Sequence, residues 1–216
     1  MKNTLQKEWF SILIVLIPFI YLAFIWNSLP EKVPIHWNLN GQIDDWGSRY
    51  SLIGLLFALP VLTYGIMLLV PKIDPKNKID TMGNKYKSLR LILVFFTSVL
   101  ALFILFSAKN QSMSSPVIIV SLIGFLFMAL GNYFKVIKQN YFVGIKTPWT
   151  LESEEVWKLT HQMAGKIWVI GGAVITIFCF FIPEDFIVYL ILTVTGIITV
   201  VPVGYSYFKF KELKKD

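Results

Sequence analysis

Cysteine is almost absent from this chain, and so is charge inside its long apolar stretches. The single cysteine, Cys179, allows no intramolecular disulfide and no thiolate metal cluster. There are two histidines and 13 acidic residues in 216. No His-Glu-x-x-His, no Gly-x-Ser-x-Gly and no pair of intramembrane aspartates occurs, so no catalytic residue, cofactor site or metal site is assigned. Charged residues make up only 15%, where soluble domains hold roughly 25%. Apolar residues reach 56%. A soluble core of this size has no room for that much apolar surface, so lipid must cover the remainder.

Six apolar runs stand out, at 9–29, 50–70, 91–107, 116–133, 167–183 and 186–207, and none contains Asp, Glu, Lys, Arg or His. A helix needs about 20 residues to cross the hydrocarbon layer. The third, fourth and fifth runs are the shortest and must borrow flanking residues. Backbone groups in lipid have to be satisfied within the segment, and strand-like alternation is missing, so helices are expected. The first run is too long for a signal-peptide core, carries Pro18 and ends without a small-x-small cleavage site, so a retained helix is expected.

Lysine and arginine set the orientation. In chain order they number two before the first run, then two, six, one, five and none in the loops, and four in the tail. Alternate segments therefore collect seventeen on one side and three on the other, out of 20. Positive residues stay in the cytoplasm, which places both termini inside. Trp9, Trp26, Trp46, Tyr50, Tyr133, Trp168 and Tyr207 lie near run ends, where amphipathic rings anchor. The expected fold is an all-α integral membrane protein of about six transmembrane helices. It divides into an N-terminal two-helix unit with an extracellular loop (1–70), a basic cytoplasmic loop with the third helix (71–115), and a C-terminal unit of three helices (116–216). The net charge of +7 does not point to direct nucleic-acid binding, because the basic residues lie between apolar runs.

Two loops are rich in turn residues. In the outer loop, 30–49, Pro30 and Pro34 keep the chain extended, and Asn40-Gly41 is a turn signal. A small hairpin on the membrane surface is expected, starting from Val33 to Trp37. His36, Trp37, Asn38, Gly41, Asp44 and Asp45 are candidate ligand contacts, for a peptide or a cation; the competing reading is a structured cap with Trp37 and Trp46 seated at the interface. One histidine with loosely spaced acids lacks zinc spacing, and the pattern is not that of a calcium loop.

In the inner loop, 134–166, Gly144 and Pro148 are expected to break any helix before Thr150. Thr150 or Ser153 then reads as the N-cap of a short amphipathic helix, 151–165, lying under the bilayer and running through Gly165 into the fifth span. Trp157, His161 and Ala164 fall on one stripe of it. Asn132 sits at a helix end, suited to tying spans together. Asn140, Lys146, Thr150 and His161 read either as a polar cluster that contacts a cytoplasmic partner or as a buried brace between spans.

Both loops resemble segments of the SdpI family of bacterial immunity proteins. The outer loop is similar to the associated N-terminal domain of unknown function through Pro30, Pro34, His36, Gly41, Asp44 or Asp45, and Gly47. The inner loop resembles the family signature through Gly131, Asn132, Asn140, Gly144, Ile145, Thr147, Pro148, Trp149, Thr150, Trp157, Thr160, His161 and Gly165. Lys146 stands where the family usually has Arg, and lysine cannot make the same bidentate contact. The resemblance implies a protein of the bacterial plasma membrane that protects its own cell from a secreted killing peptide. It also implies a receptor role, in which toxin engagement lets the protein hold a repressor at the membrane. The alternative class is a small-solute or lipid transporter, against which stands the lack of ionisable residues in the runs.

Overall fold

The computed structural model describes residues 2–38, 42–111 and 116–214, with side chains described from residue 8 onward. The Asn40-Gly41 turn lies outside the described residues. The elements are α1 (Lys2–Ile25), β1 (Lys32–Trp37), β2 (Ile43–Ser48), α2 (Ser51–Leu56), α3 (Leu62–Ile73), α4 (Asn84–Asn110), α5 (Pro116–Phe134), α6 (Pro148–Glu152), α7 (Glu154–Phe178) and α8 (Glu184–Leu213).

Among the described residues, five helical stretches are long and apolar enough to cross a membrane: Glu8–Ser28, Ser51–Ile73, Asn84–Asn110, Pro116–Phe134 and Glu184–Leu213. Their side chains explain why lipid is required. In α8 only Ile187, Ile198, Pro202 and Ser206 are buried, while large apolar groups such as Val200 and Tyr189 remain exposed. Phe24 in α1 is 83% exposed. The run at 167–183 does not stand as a helix of its own. It forms the far part of α7, which starts at Glu154 and ends at Phe178, before the chain turns.

The helix expected over 151–165 does run on through Gly165 into the apolar run, but its start is corrected. The structure has two helices here, a single turn at Pro148–Glu152 and the long α7. Ser153, with extended backbone, separates the two, and Pro148 sets where the first begins. It was expected to interrupt helix, yet at the first helical position its missing N–H is no loss and its fixed φ suits the turn, so it starts α6. The N-cap of α6 is Thr147, not Thr150; Ser153 caps α7 as expected, its hydroxyl accepting from the Val156 amide.

The stretch Ser51–Ile73 contains a π turn at Phe57–Val61 around Pro60. Proline has no amide to donate, so the ladder locally widens instead of leaving a carbonyl stranded in lipid. The fold is also not purely helical: β1 and β2 pair antiparallel, with register shifts between Pro34 and His36 and between His36 and Trp37. A Cβ on Gly47 would lie 2.8 Å from the Ile35 side chain, so glycine there lets the strands close.

The chain forms two compact units: Met1–Leu68 with Arg90–Ile119, and Leu69–Leu89 with Val120–Asp216. In the first, Leu22, Ile25, Leu29, Val33, Leu52, Leu56, Ala101, Leu105 and Ala108 form a core that takes in the first residues of the hairpin. A buried ion pair joins Arg90 Nη2 to Glu8 Oε1, and Tyr64 Oη donates to Glu8 Oε2 at 3.5 Å. The second unit is organised by the approach of α5 to α7. A methyl placed on Gly131 would sit 2.9 Å from the Gly165 carbonyl oxygen, and one on Gly124 2.8 Å from that of Gly172. Two glycines on each helix thus face two on the other and bring backbone against backbone.

Candidate functional site

The signature loop of the second unit is built from internal hydrogen bonds. Asn140 is 1% exposed and uses its whole amide: Nδ2 donates to the carbonyls of Lys138 (2.8 Å) and Val143 (2.9 Å), and Oδ1 accepts from the amides of Phe142 (2.8 Å) and Val143 (2.7 Å). One side chain therefore closes the 138–143 turn. Gln139 Nε2 reaches the Thr150 and Leu151 carbonyls at 2.8 and 3.0 Å, satisfying acceptors at the end of α6.

Thr147 and Thr150 form a reciprocal cap. The Thr150 amide donates to Thr147 Oγ1 at 3.2 Å, and the Thr147 amide donates to Thr150 Oγ1 at 2.9 Å. Thr150 Oγ1 in turn donates to the Ile145 carbonyl at 2.8 Å. Thr147 Oγ1 also meets Ser206 Oγ of α8 at 3.1 Å, and Trp149 packs on Tyr207 with ring centroids 5.0 Å apart. These contacts fix α6 against α8.

His161 is the centre of the brace. Its ring is 1% exposed, stacked on Trp157 at 4.1 Å and edge-on to Phe134 at 5.6 Å. Nε2 accepts from the Ile145 amide at 2.9 Å, so the proton resides on Nδ1, which donates to the Trp157 carbonyl at 2.8 Å. That tautomer makes His161 neutral, and burial pushes its pKa down to about 4. Gly144 makes this possible: its φ is +113°, and a Cβ would lie 2.5 Å from His161 Nε2. Trp157 Nε1 donates to the Ile137 carbonyl at 2.8 Å. Thr160 is buried beside it, and its hydroxyl has no partner among the described residues.

Asn140, Thr150, Trp157, Thr160 and His161 therefore lie inside, and Lys146, Pro148 and Asn132 outside. Lys146 folds its ammonium over the carbonyls of Tyr141 and Phe142, each 3.2 Å away. Both imidazole nitrogens of His161 are taken up by the protein's own backbone.

The β1–β2 hairpin of the first unit is different in kind. His36 Nδ1 lies 2.6 Å from Asp44 Oδ1, with the side chains 66% and 42% exposed. The Gln42 amide donates to Asn38 Oδ1 at 3.0 Å where the two strands approach the turn, and within β2 the Trp46 amide donates to Asp45 Oδ1 at 2.8 Å. Trp37 is half-buried, and its indole N–H has no partner among the described residues. Gly41 lies outside the described residues. No group of three or more His, Cys, Asp or Glu that could hold a metal occurs among the described residues.

Sequence reasoning missed the Glu8–Arg90 pair and the glycine pairs. Arg90 is one of only two arginines in a lysine-rich chain, which is a signal for a fixed, buried contact. The seven-residue spacing of Gly124 and Gly131, repeated by Gly165 and Gly172, was legible as one stripe on each helix.

The helices, hairpin and braced loop define the class, a multi-helix membrane protein, and residues 136–206 match the model of the SdpI/YfhL protein family. Residues 13–63 match a domain of unknown function, DUF1648, which takes in the hairpin. More particularly, the chain is similar to Immunity protein SdpI of Bacillus subtilis (strain 168), 28% identical over 210 residues, covering 95% of this chain and 97% of that protein. No solved structure matches the chain.

Proposed function

We propose that the chain is a membrane immunity protein that protects the cell making it against a secreted antimicrobial peptide. The observation that carries this reading is the similarity to Immunity protein SdpI along nearly the full length of both proteins. In this reading the chain crosses the bacterial plasma membrane six times with both termini inside. The outer hairpin offers exposed His36, Asp44 and Asp45 to the peptide. A repressor protein is held on the cytoplasmic side by the lysine-rich segments 71–90 and 134–166, with the braced loop as a rigid base.

Expression of the chain in sensitive cells is the test. The expected result is a rise in the minimum inhibitory concentration of a membrane-active peptide from a relative's toxin system, reduced by the paired change His36→Ala and Asp44→Ala at equal protein level. Full sensitivity in cells that carry the protein in their membranes overturns the reading.

A further inference from the structure

We propose that the second unit carries a binding site for an anionic phospholipid, its phosphate held by lysines in a cleft at the start of α7 and an acyl chain in the groove between α5 and α7. The cleft has a volume of about 710 Å³ and is lined by Lys76, Lys78, Lys85, Lys135, Lys138 and Lys158, against one carboxylate, Glu154. Three of the six are engaged. Lys78 pairs with Glu154 at 2.7 Å, Lys138 donates to Thr81 Oγ1 at 3.2 Å, and Lys76 lies 5.1 Å from the Tyr141 ring centroid. The ammonium groups of Lys85, Lys135 and Lys158 have no protein partner among the described residues. Like charges gathered in one cleft repel, and an anion relieves that repulsion while accepting their hydrogen bonds.

A second cavity of about 680 Å³ adjoins the first, and Lys135 and Gln162 line both. Its walls are mainly apolar, from Gly131, Gly165, Val169 and Ile170, with Lys166 at its edge. Gly131 and Gly165, where α5 and α7 meet backbone to backbone, both line it. Val169 and Ile170 in its wall are exposed apolar side chains beside α5, a helix long and apolar enough to cross the membrane, which suits this groove to an acyl chain. A free phosphate or an acidic protein segment satisfies the lysines alone. A phospholipid fills both compartments, and basic pockets between membrane helices are suited to such headgroups. The site does not depend on the immunity reading.

The test is native mass spectrometry of the full chain in detergent with equimolar phosphatidylglycerol and phosphatidylcholine. The expected result is selective retention of phosphatidylglycerol, weakened roughly fivefold per lysine and about a hundredfold in the triple variant Lys85→Gln, Lys135→Gln, Lys158→Gln. The triple change to Arg keeps the charge and should keep the lipid, which separates loss of the site from loss of the fold. Equal retention of both lipids, or undiminished retention in the Gln variant, overturns the proposal. So does displacement by an equal concentration of soluble glycerol phosphate, which would mark a simple anion site. Displacement by polyglutamate at equal concentration would mark a protein-docking cleft and likewise overturn it.

Discussion

Acidification from pH 7 to pH 5 should destabilise this protein through His161 alone by about 2 kcal/mol. The imidazole titrates near 6.5 in the unfolded chain and is pushed down to about 4 when folded, where burial opposes the charged form. The folded pKa is depressed, so between these values the unfolded chain binds more protons, and stability falls as pH falls. The contribution is complete above about pH 6.5, is lost progressively below it, and reaches about 3 kcal/mol of loss near pH 4. At pH 5 the proton-binding ratio of the two states gives about 2 kcal/mol, or roughly 4–8 °C in Tm for a chain of this size. Protonation at Nε2 also sets two donors, the imidazolium and the Ile145 amide, against each other across 2.9 Å. The assay is thermal unfolding in detergent at a series of pH values, for the wild type and for His161→Gln. The glutamine is neutral throughout and lacks the slope, whatever its own baseline. Parallel pH dependence of the two proteins between 7 and 5 would refute the assignment of a neutral, internally bonded histidine.

Breaking the buried pair by Arg90→Met should cost about 3–5 kcal/mol in unfolding experiments, and combining it with Glu8→Leu should recover part of that, because the stranded carboxylate is gone. An unchanged midpoint for Arg90→Met would place the pair in water. Gly131→Val forces two backbones apart and should lower stability by at least about 1–3 kcal/mol, with Gly54→Val, where a Cβ meets open space, as the control; equal behaviour of the two would contradict the close approach. Thr147→Val removes both the cap and the link to Ser206 and should cost about 0.5–2 kcal/mol, read as faster amide exchange at Thr150 and Leu151.

The apolar runs made the membrane helices legible, because twenty uncharged residues leave few alternatives in lipid. The hairpin was legible too, from Pro34 and the Asn40-Gly41 dipeptide, although its tip lies outside the described residues. Local chemistry misled at Pro148, whose effect depends on whether it enters a helix at the first position or later. The continuity of the 151–165 segment through Gly165 into the apolar run was legible, but its start was not, because Ser153 rather than Thr150 caps the long α7. Glu8 and Arg90 are 82 positions apart, and nothing local to either announces the other. The occupation of the His161 nitrogens was not legible, because the Ile145 amide reaches Nε2 from before α6 while Nδ1 is met by Trp157 one turn back on α7.

The facing glycines of α5 and α7 have a consequence for motion. Where two helices touch through side chains, rotamer changes let one slide past the other in small steps. Here peptide planes rest on peptide planes, and no such intermediate positions exist. The contact is thus expected to hold α5 and α7 in one register. The four positions Gly124, Gly131, Gly165 and Gly172 are at the smallest size chemistry offers, so a gain of bulk at one has no compensating loss to make opposite.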